Sequence, residues 1–229
     1  MPANSTESVE ELCEYCHLLY QKNLICSAGG NVSLRVGDNV LITPTGGTLG
    51  QLQPSDIVTT RLDTGEVIGE GRPSKELGFH LGMLRAHPEL MGVVHVHPTA
   101  SVAFSARYPT PKLNAVPATN AGFYVRSGQI PMLPYFPSGS KALHDAVNHL
   151  VGDFTTILLG LHGSIVGRKT LLEAFNATEE IEQNCEIYLL AGEGAQFLTV
   201  EQRAGVDKAL NRVWPDPEKY SAFFRQFQS

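Results

Sequence analysis

The chain has 229 residues, 42% of them hydrophobic and 17% charged, with a formal net charge of -6. That is ample apolar material for a core and argues against disorder. The acidic balance also argues against a nucleic-acid-binding surface, which needs a basic stripe, while a locally positive site for an anionic substrate stays open. No apolar run approaches the roughly 18 residues needed to span a bilayer, and residues 1–11 are polar, without a signal-peptide core, so a cytoplasmic protein with neither membrane nor nucleic-acid partners is expected.

In chain order, the first predicted element is an amphipathic helix over 6–23, with Val9, Leu12, Cys16 and Leu19 on one face. Cys13 and Cys16 form a C-x-x-C on that helix, but no second cysteine pair follows, so core thiols are expected rather than a zinc or redox site. Short strands are predicted over 32–36 and 39–43, joined at Gly37-Asp38, and a second hairpin over 57–62 and 66–69 around Asp63-Thr64-Gly65. Leu77, Leu81 and Leu84 predict a helix from Ser74 to Ala86, stopped by Pro88. Met91–His97 reads as a strand, and Pro109–Pro137, with six prolines, reads as mostly loop. A helix over 140–151, a buried strand over 155–160, a long helix over 170–194 and a helix over 200–213 precede a proline-containing tail. No linker or repeat interrupts the chain, so one domain over 1–229 is expected, with a C-terminal tail from about 213. The interleaved strands and helices predict a three-layer α/β/α fold: a mixed sheet covered by helices.

Several residues stand out chemically. In Val93-Val94-His95-Val96-His97 a strand places both histidines on one side, where two imidazoles can share a cation; a pair of structural histidines at a strand end fits the same pattern. His162 lies between Gly160-Leu161 and Gly163 after an apolar run, and three histidines with one open position make a catalytic zinc set. Glu76 is expected in the first turn of the helix opened by Pro73, either as a helix-start charge or as a carboxylate that ligates metal or moves protons. His80, one turn on, is a spare candidate ligand, with packing or a hydrogen bond to the site as the plainer reading. Two glycine-rich turns, Ala28-Gly29-Gly30-Asn31 and Thr43-Pro44-Thr45-Gly46-Gly47, offer backbone N–H groups suited to phosphate, although neither is a P-loop.

In order, Gly-Gly-Asn-Val-Ser (29–33), Ile-Thr-Pro-Thr-Gly (42–46), Pro-Ser-Lys-Glu (73–76), Val-Val-His-Val-His (93–97) and His-Gly (162–163) strongly resemble the class II aldolase/adducin family over about residues 6–200. The resemblance implies the class II aldolase fold, with a mostly antiparallel central sheet. It also implies a divalent metal, zinc first and Mn2+ or Co2+ as substitutes, held by His95, His97 and His162 with Glu76. Glu76 then doubles as acid/base, and the substrate is a phosphorylated sugar or sugar acid cleaved through an enediolate. Gly30, Asn31, Thr45, Gly46, Ser74 and Lys75 are implied in substrate and phosphate binding, and a homotetramer with active sites between subunits is implied as the assembly.

Within the family, the stretches Arg-Pro-Ser-Lys-Glu-Leu (72–77), 93–103 and 125–139 resemble the branch that decarboxylates 3-oxo-tetronate 4-phosphates. Its signature carries Thr-Lys-Glu where the sugar-phosphate aldolases carry Ser-Ser-Glu, so Lys75 stands where a phosphate-binding hydroxyl would be. There it would bind phosphate or carboxylate as a point charge. The family's aldolases take a proton-donating Tyr from a neighbouring subunit. That place falls on Gly122 here, with Tyr124 two residues on as the candidate donor. An aldolase of the L-fuculose-phosphate type, a ribulose-phosphate 4-epimerase and a non-catalytic adducin-like scaffold are the alternatives.

Overall fold

The computed structural model describes residues 5–192 and 194–228; the first four residues of the polar N-terminal stretch lie outside them. Helix α1 (Ser5–Gln21) leads into β1 (Asn31–Val36) and β2 (Asn39–Ile42), and two single 3-10 turns precede β3 (Val58–Arg61) and β4 (Val67–Ile68). Then follow α2 (Leu77–Ala86), β5 (Gly92–Val96), α3 (Thr99–Arg107), α4 (Ala121–Ser127), β6 (Met132–Leu133) and α5 (Lys141–Leu150). The chain closes with β7 (Thr156–Leu159), β8 (Gly163–Arg168), α6 (Leu171–Ala191), α7 (Val200–Ala209) and α8 (Glu218–Arg225).

The strands form one sheet in the order β4-β3-β2-β1-β5-β8-β7-β6. Every pairing is antiparallel except β6 with β7. Side chains alternate along a strand, and β5 shows how this builds two cores. Val93 joins Leu81, Met83 and Leu84 of α2, Val147 and Leu150 of α5, and Tyr220 and Phe224 of α8. Val94 and Val96 join Leu12, Cys16 and Leu19 of α1 and Phe175 of α6. Farther along that second face, Phe104 of α3 and Phe123 of α4 pack with Ile181 and Cys185 of α6. The fold is therefore the expected mixed, mostly antiparallel sheet between two layers of helices. Cys13 and Cys16 are both buried thiols on the core face of α1.

Four elements depart from the sequence reading. Strand β8 was not foreseen: Gly163-Ser-Ile-Val-Gly-Arg is interrupted by glycine, yet it lies buried between β5 and β7. The loop expected over 109–137 contains α4, whose Asn120 cap accepts a hydrogen bond from the Phe123 N–H at 2.9 Å, and α3 precedes it. The tail beyond 213 carries α8. Finally, α2 begins at Leu77, not Ser74: the Ser74 carbonyl accepts from the Leu77 N–H at 3.0 Å, so 74–76 form a turn and Glu76 is the residue just before the helix.

Candidate active site

The site is assembled from the middle of the sheet. In register, Asn31 of β1 lies opposite His95 of β5, and Ile165 of β8 lies opposite His95 on the other side. At one end of these strands, His95, His97 and His162 bring their ligating nitrogens within 4.8 Å of one another. Backbone closeness makes room for this. Gly30 has φ +69°, and a Cβ there would come within 2.7 Å of the His95 carbonyl oxygen, while a Cβ on Gly163 would collide with the Val96 carbonyl oxygen and crowd His97. His162 follows Leu161, a non-glycine residue at φ +54°; the Leu161 N–H donates to Ser105 Oγ at 2.9 Å, which pins that strained turn.

His95 is fully buried, and its Nδ1–H donates to the Ser164 carbonyl at 2.9 Å. This fixes the tautomer, so Nε2 presents a lone pair toward the cluster. That Nε2 lies 3.0 Å from His97 Nε2 and 3.2 Å from Glu76 Oε2, and His162 Nε2 lies 3.7 Å from Glu76 Oε1. Burial, reinforced by the crowding of the imidazoles on one another, pushes His97 down to about 3 and His162 down to about 4. Both imidazoles are therefore neutral near pH 7.

Burial works to raise the Glu76 pKa, but the adjoining His95 ring and the hydrogen bonds from Ser138 and Asn31 outweigh it and hold the carboxyl well below the usual range, hence ionised. Neutral imidazole nitrogens and a carboxylate that converge in this way are the kind of donor set that a cation takes. The donor set of three nitrogens and a carboxylate oxygen fits a divalent ion of the zinc kind.

The carboxylate is held from two sides. Asn31 Nδ2 donates to Oε2 at 2.8 Å, and Ser138 Oγ donates to Oε1 at 2.6 Å. Ser138 was not foreseen; it sits in the Pro134–Pro137 neighbourhood, where only a loop was legible. His80 does not join the histidine cluster: its Nδ1 meets Ser33 Oγ at 2.8 Å and its Nε2 meets Asn31 Oδ1 at 2.5 Å. Burial takes it down to about 3.

The residues expected to bind phosphate are partly brought together. The 43–47 turn is zipped to the 72–74 segment through a Pro44–Pro73 bridge, with Thr45 N–H donating to the Arg72 carbonyl and Ser74 N–H to the Thr43 carbonyl. Thr45, Gly46 and Lys75 are exposed there, but the Thr45 N–H is already spent. Ser74 Oγ accepts from the Glu76 N–H at 3.2 Å. The Lys75 stem lies against Gly139, and its charge contributes to holding His162 neutral. The Asn31 amide is tied to Glu76 and His80. Tyr124 stands apart. Its hydroxyl is buried and donates to Asp207 Oδ2 at 2.8 Å, and burial together with that carboxylate raises its pKa. Within this chain it pairs with α7 and not with the histidines.

Residues 10–189 match the class II aldolase and adducin N-terminal domain. The chain is 33% identical over 197 residues to the 3-oxo-tetronate 4-phosphate decarboxylase of Escherichia coli strain K12, covering 85% of this chain and 92% of that protein. It is 36% identical over 177 residues to the L-fuculose phosphate aldolase of Methanococcus maripaludis, covering 77% and 93%. The crystal structure of YgbL from Escherichia coli superposes with a TM-score of 0.83 at 30% identity, covering 88% of this chain and 98% of that one. The relatives are named as enzymes, and among the described residues no helix is long and apolar enough to cross a membrane. On the strength of the domain match and of these relatives, the chain belongs to the class II aldolase/adducin family.

Proposed function

We propose that the chain is a metal-dependent carbon–carbon lyase that decarboxylates a 3-oxo-tetronate 4-phosphate to dihydroxyacetone phosphate. The observation that carries this reading is the convergence of His95, His97 and His162 on an ionised, buried Glu76, together with the 33% identity to a decarboxylase over most of both chains. When bound, a divalent ion polarises the substrate carbonyl and offsets the negative charge that develops there.

In a β-keto acid the C1–C2 bond breaks, carbon dioxide leaves, and the electron pair spreads over C2, C3 and the C3 oxygen; a proton delivered to C2 completes the product. Glu76 relays that proton from solvent to C2 at Oε1. The assignment to Oε1 follows from its partners. The Ser138 hydroxyl can turn from donor to acceptor when Oε1 is protonated, whereas the Asn31 amide nitrogen at Oε2 can only donate. Lys75, Ser74, Thr45 and Gly46 hold the anionic ends of the substrate, with Lys75 as a point charge at the mouth.

Release of carbon dioxide needs no aldehyde proton donor, which agrees with Gly122 standing where the family's donor Tyr falls. The deciding experiment offers the purified protein a 3-oxo-tetronate 4-phosphate and fuculose 1-phosphate side by side. Carbon dioxide from the first is expected. Aldehyde from the second with no carbon dioxide from the first reverses the reading in favour of the aldolase named among the relatives. We further propose a homotetramer, supported by exposed apolar side chains at Leu190, Val200 and Val213; a fully active monomer in light scattering would contradict it.

A further inference from the structure

The sheet face that carries Glu76 holds a row of buried polar groups that the chemistry above does not use. Asn31 and Ser33 lie two residues apart on β1 and so point to the same side. His80 of α2 lies across both, with its ring stacked on Phe79 at 5.0 Å. Ser33 and His80 are fully buried and Asn31 nearly so. Three consecutive hydrogen bonds join them to the site: Ser33 Oγ to His80 Nδ1, His80 Nε2 to Asn31 Oδ1, and Asn31 Nδ2 to Glu76 Oε2.

Donor and acceptor chemistry fixes the direction of all three. An ionised carboxylate only accepts, so the amide must present its NH2 to Glu76 and its carbonyl oxygen to His80. A carbonyl oxygen only accepts, so His80 Nε2 must carry the proton. In a neutral imidazole Nδ1 then accepts, and the Ser33 hydroxyl must donate. Every proton in the row points toward Glu76. Without His80, the Asn31 carbonyl oxygen would lose its donor, and the buried amide would be held at its Glu76 end alone.

We infer that His80 is a positioning residue: it locks the orientation of the Asn31 amide, and through it the rotamer of Glu76 at the metal-binding end of the sheet. The inference rests on the reading of Glu76 as the functional carboxylate.

Three variants test it. His80→Phe keeps a ring against Phe79 but removes the donor. A loss of 10- to 100-fold in kcat, the usual scale for removing a partner of a metal ligand, is expected with KM little changed. Zinc affinity of the metal-free chain, measured by competition with a chromogenic chelator, should fall by a similar factor. His80→Gln restores an N–H at the same reach and should recover most of both. In an Asn31→Ala background, His80→Phe should add little, because the row is already broken.

If His80→Phe does not fold, the wild-type zinc-loaded protein still decides: nitrogen-15 NMR of the imidazoles, assigned with His80→Gln, should show His80 as the neutral Nε2–H tautomer. A protonated Nδ1 overturns the inference. So does a folded His80→Phe within twofold of wild type in kcat and zinc affinity, or an undiminished loss in the Asn31→Ala background. Failure of the underlying reading looks different, since Glu76→Gln would then itself leave kcat and zinc affinity unchanged.

Discussion

Glu76 concentrates the residue-scale argument, because its ordinary and functional readings differ in what they predict. As a helix-start charge it would stabilise by less than about 1 kcal/mol with little kinetic effect. As an acid/base, Glu76→Gln is expected to lower turnover by two to four orders of magnitude with the fold retained; melting temperature and turnover measured on one preparation separate the two. The histidines and Glu76 were legible in the sequence because their signals are local: an alternating strand and a glycine-flanked turn. What they touch was not. Ser138 meets Glu76 from 62 residues away, and His80 meets Asn31 from 49, so no spacing announces either contact. Asn31 shows the cost: its turn reads as a phosphate nest, and only the tertiary fold turns its amide to the carboxylate.

At the scale of elements, most helices were legible from apolar periodicity and caps, and the misses have physical causes. Strand β8 carries two glycines, and its strand character comes from being sandwiched between β5 and β7. Helix α8 was hidden because its partners lie far away in sequence. Its Tyr220 hydroxyl donates to Asp153 at 2.5 Å, and Lys219 pairs with the same carboxylate. Burial would raise the Asp153 pKa, but the Lys219 and Tyr220 hydrogen bonds win and lower it. A carboxyl lowered on folding stabilises above its unfolded value of about 3.9 and loses that contribution as pH falls through the folded value. Tyr220 is the opposite case: burial and Asp153 push it up to about 12, so its contribution is present below about 10 and is lost as pH rises toward 12. Thermal melts across pH should therefore show Asp153→Asn losing stability at neutral pH while its acid-side and alkaline-side falls flatten. Unchanged limbs would mean that the contact does not hold α8 in solution.

For the whole molecule, the sequence conveyed a three-layer fold but undervalued its C-terminal end. The family match stops at residue 189, yet Tyr220 and Phe224 are buried in the core with Phe154, Val147 and Leu150, and Trp214 packs against it. We expect residues 5–228 to behave as one folding unit. Burial of an aromatic side chain of this kind contributes about 1.5–3 kcal/mol, so deleting residues from 213 onward removes several kcal/mol from a total that is typically about 5–15 kcal/mol. A sharply lowered melting temperature, or insoluble protein, is expected; an unchanged melt would show that the tail is dispensable.

His95 lies in β5, His97 directly follows that strand and His162 directly precedes β8, and both strands are hydrogen-bonded on both edges. A backbone held in this way is finished before any ion arrives. Zinc should therefore act as a ligand of an already folded protein and not as a folding nucleus, and its effect on stability should follow mass action. The metal-free protein should melt cooperatively, and above the dissociation constant each tenfold rise in free zinc should add about 1.4 kcal/mol. His97→Ala should flatten that slope while keeping the metal-free melt. A metal-free chain without a cooperative transition would mean that the histidines are gathered by the ion and not by the sheet.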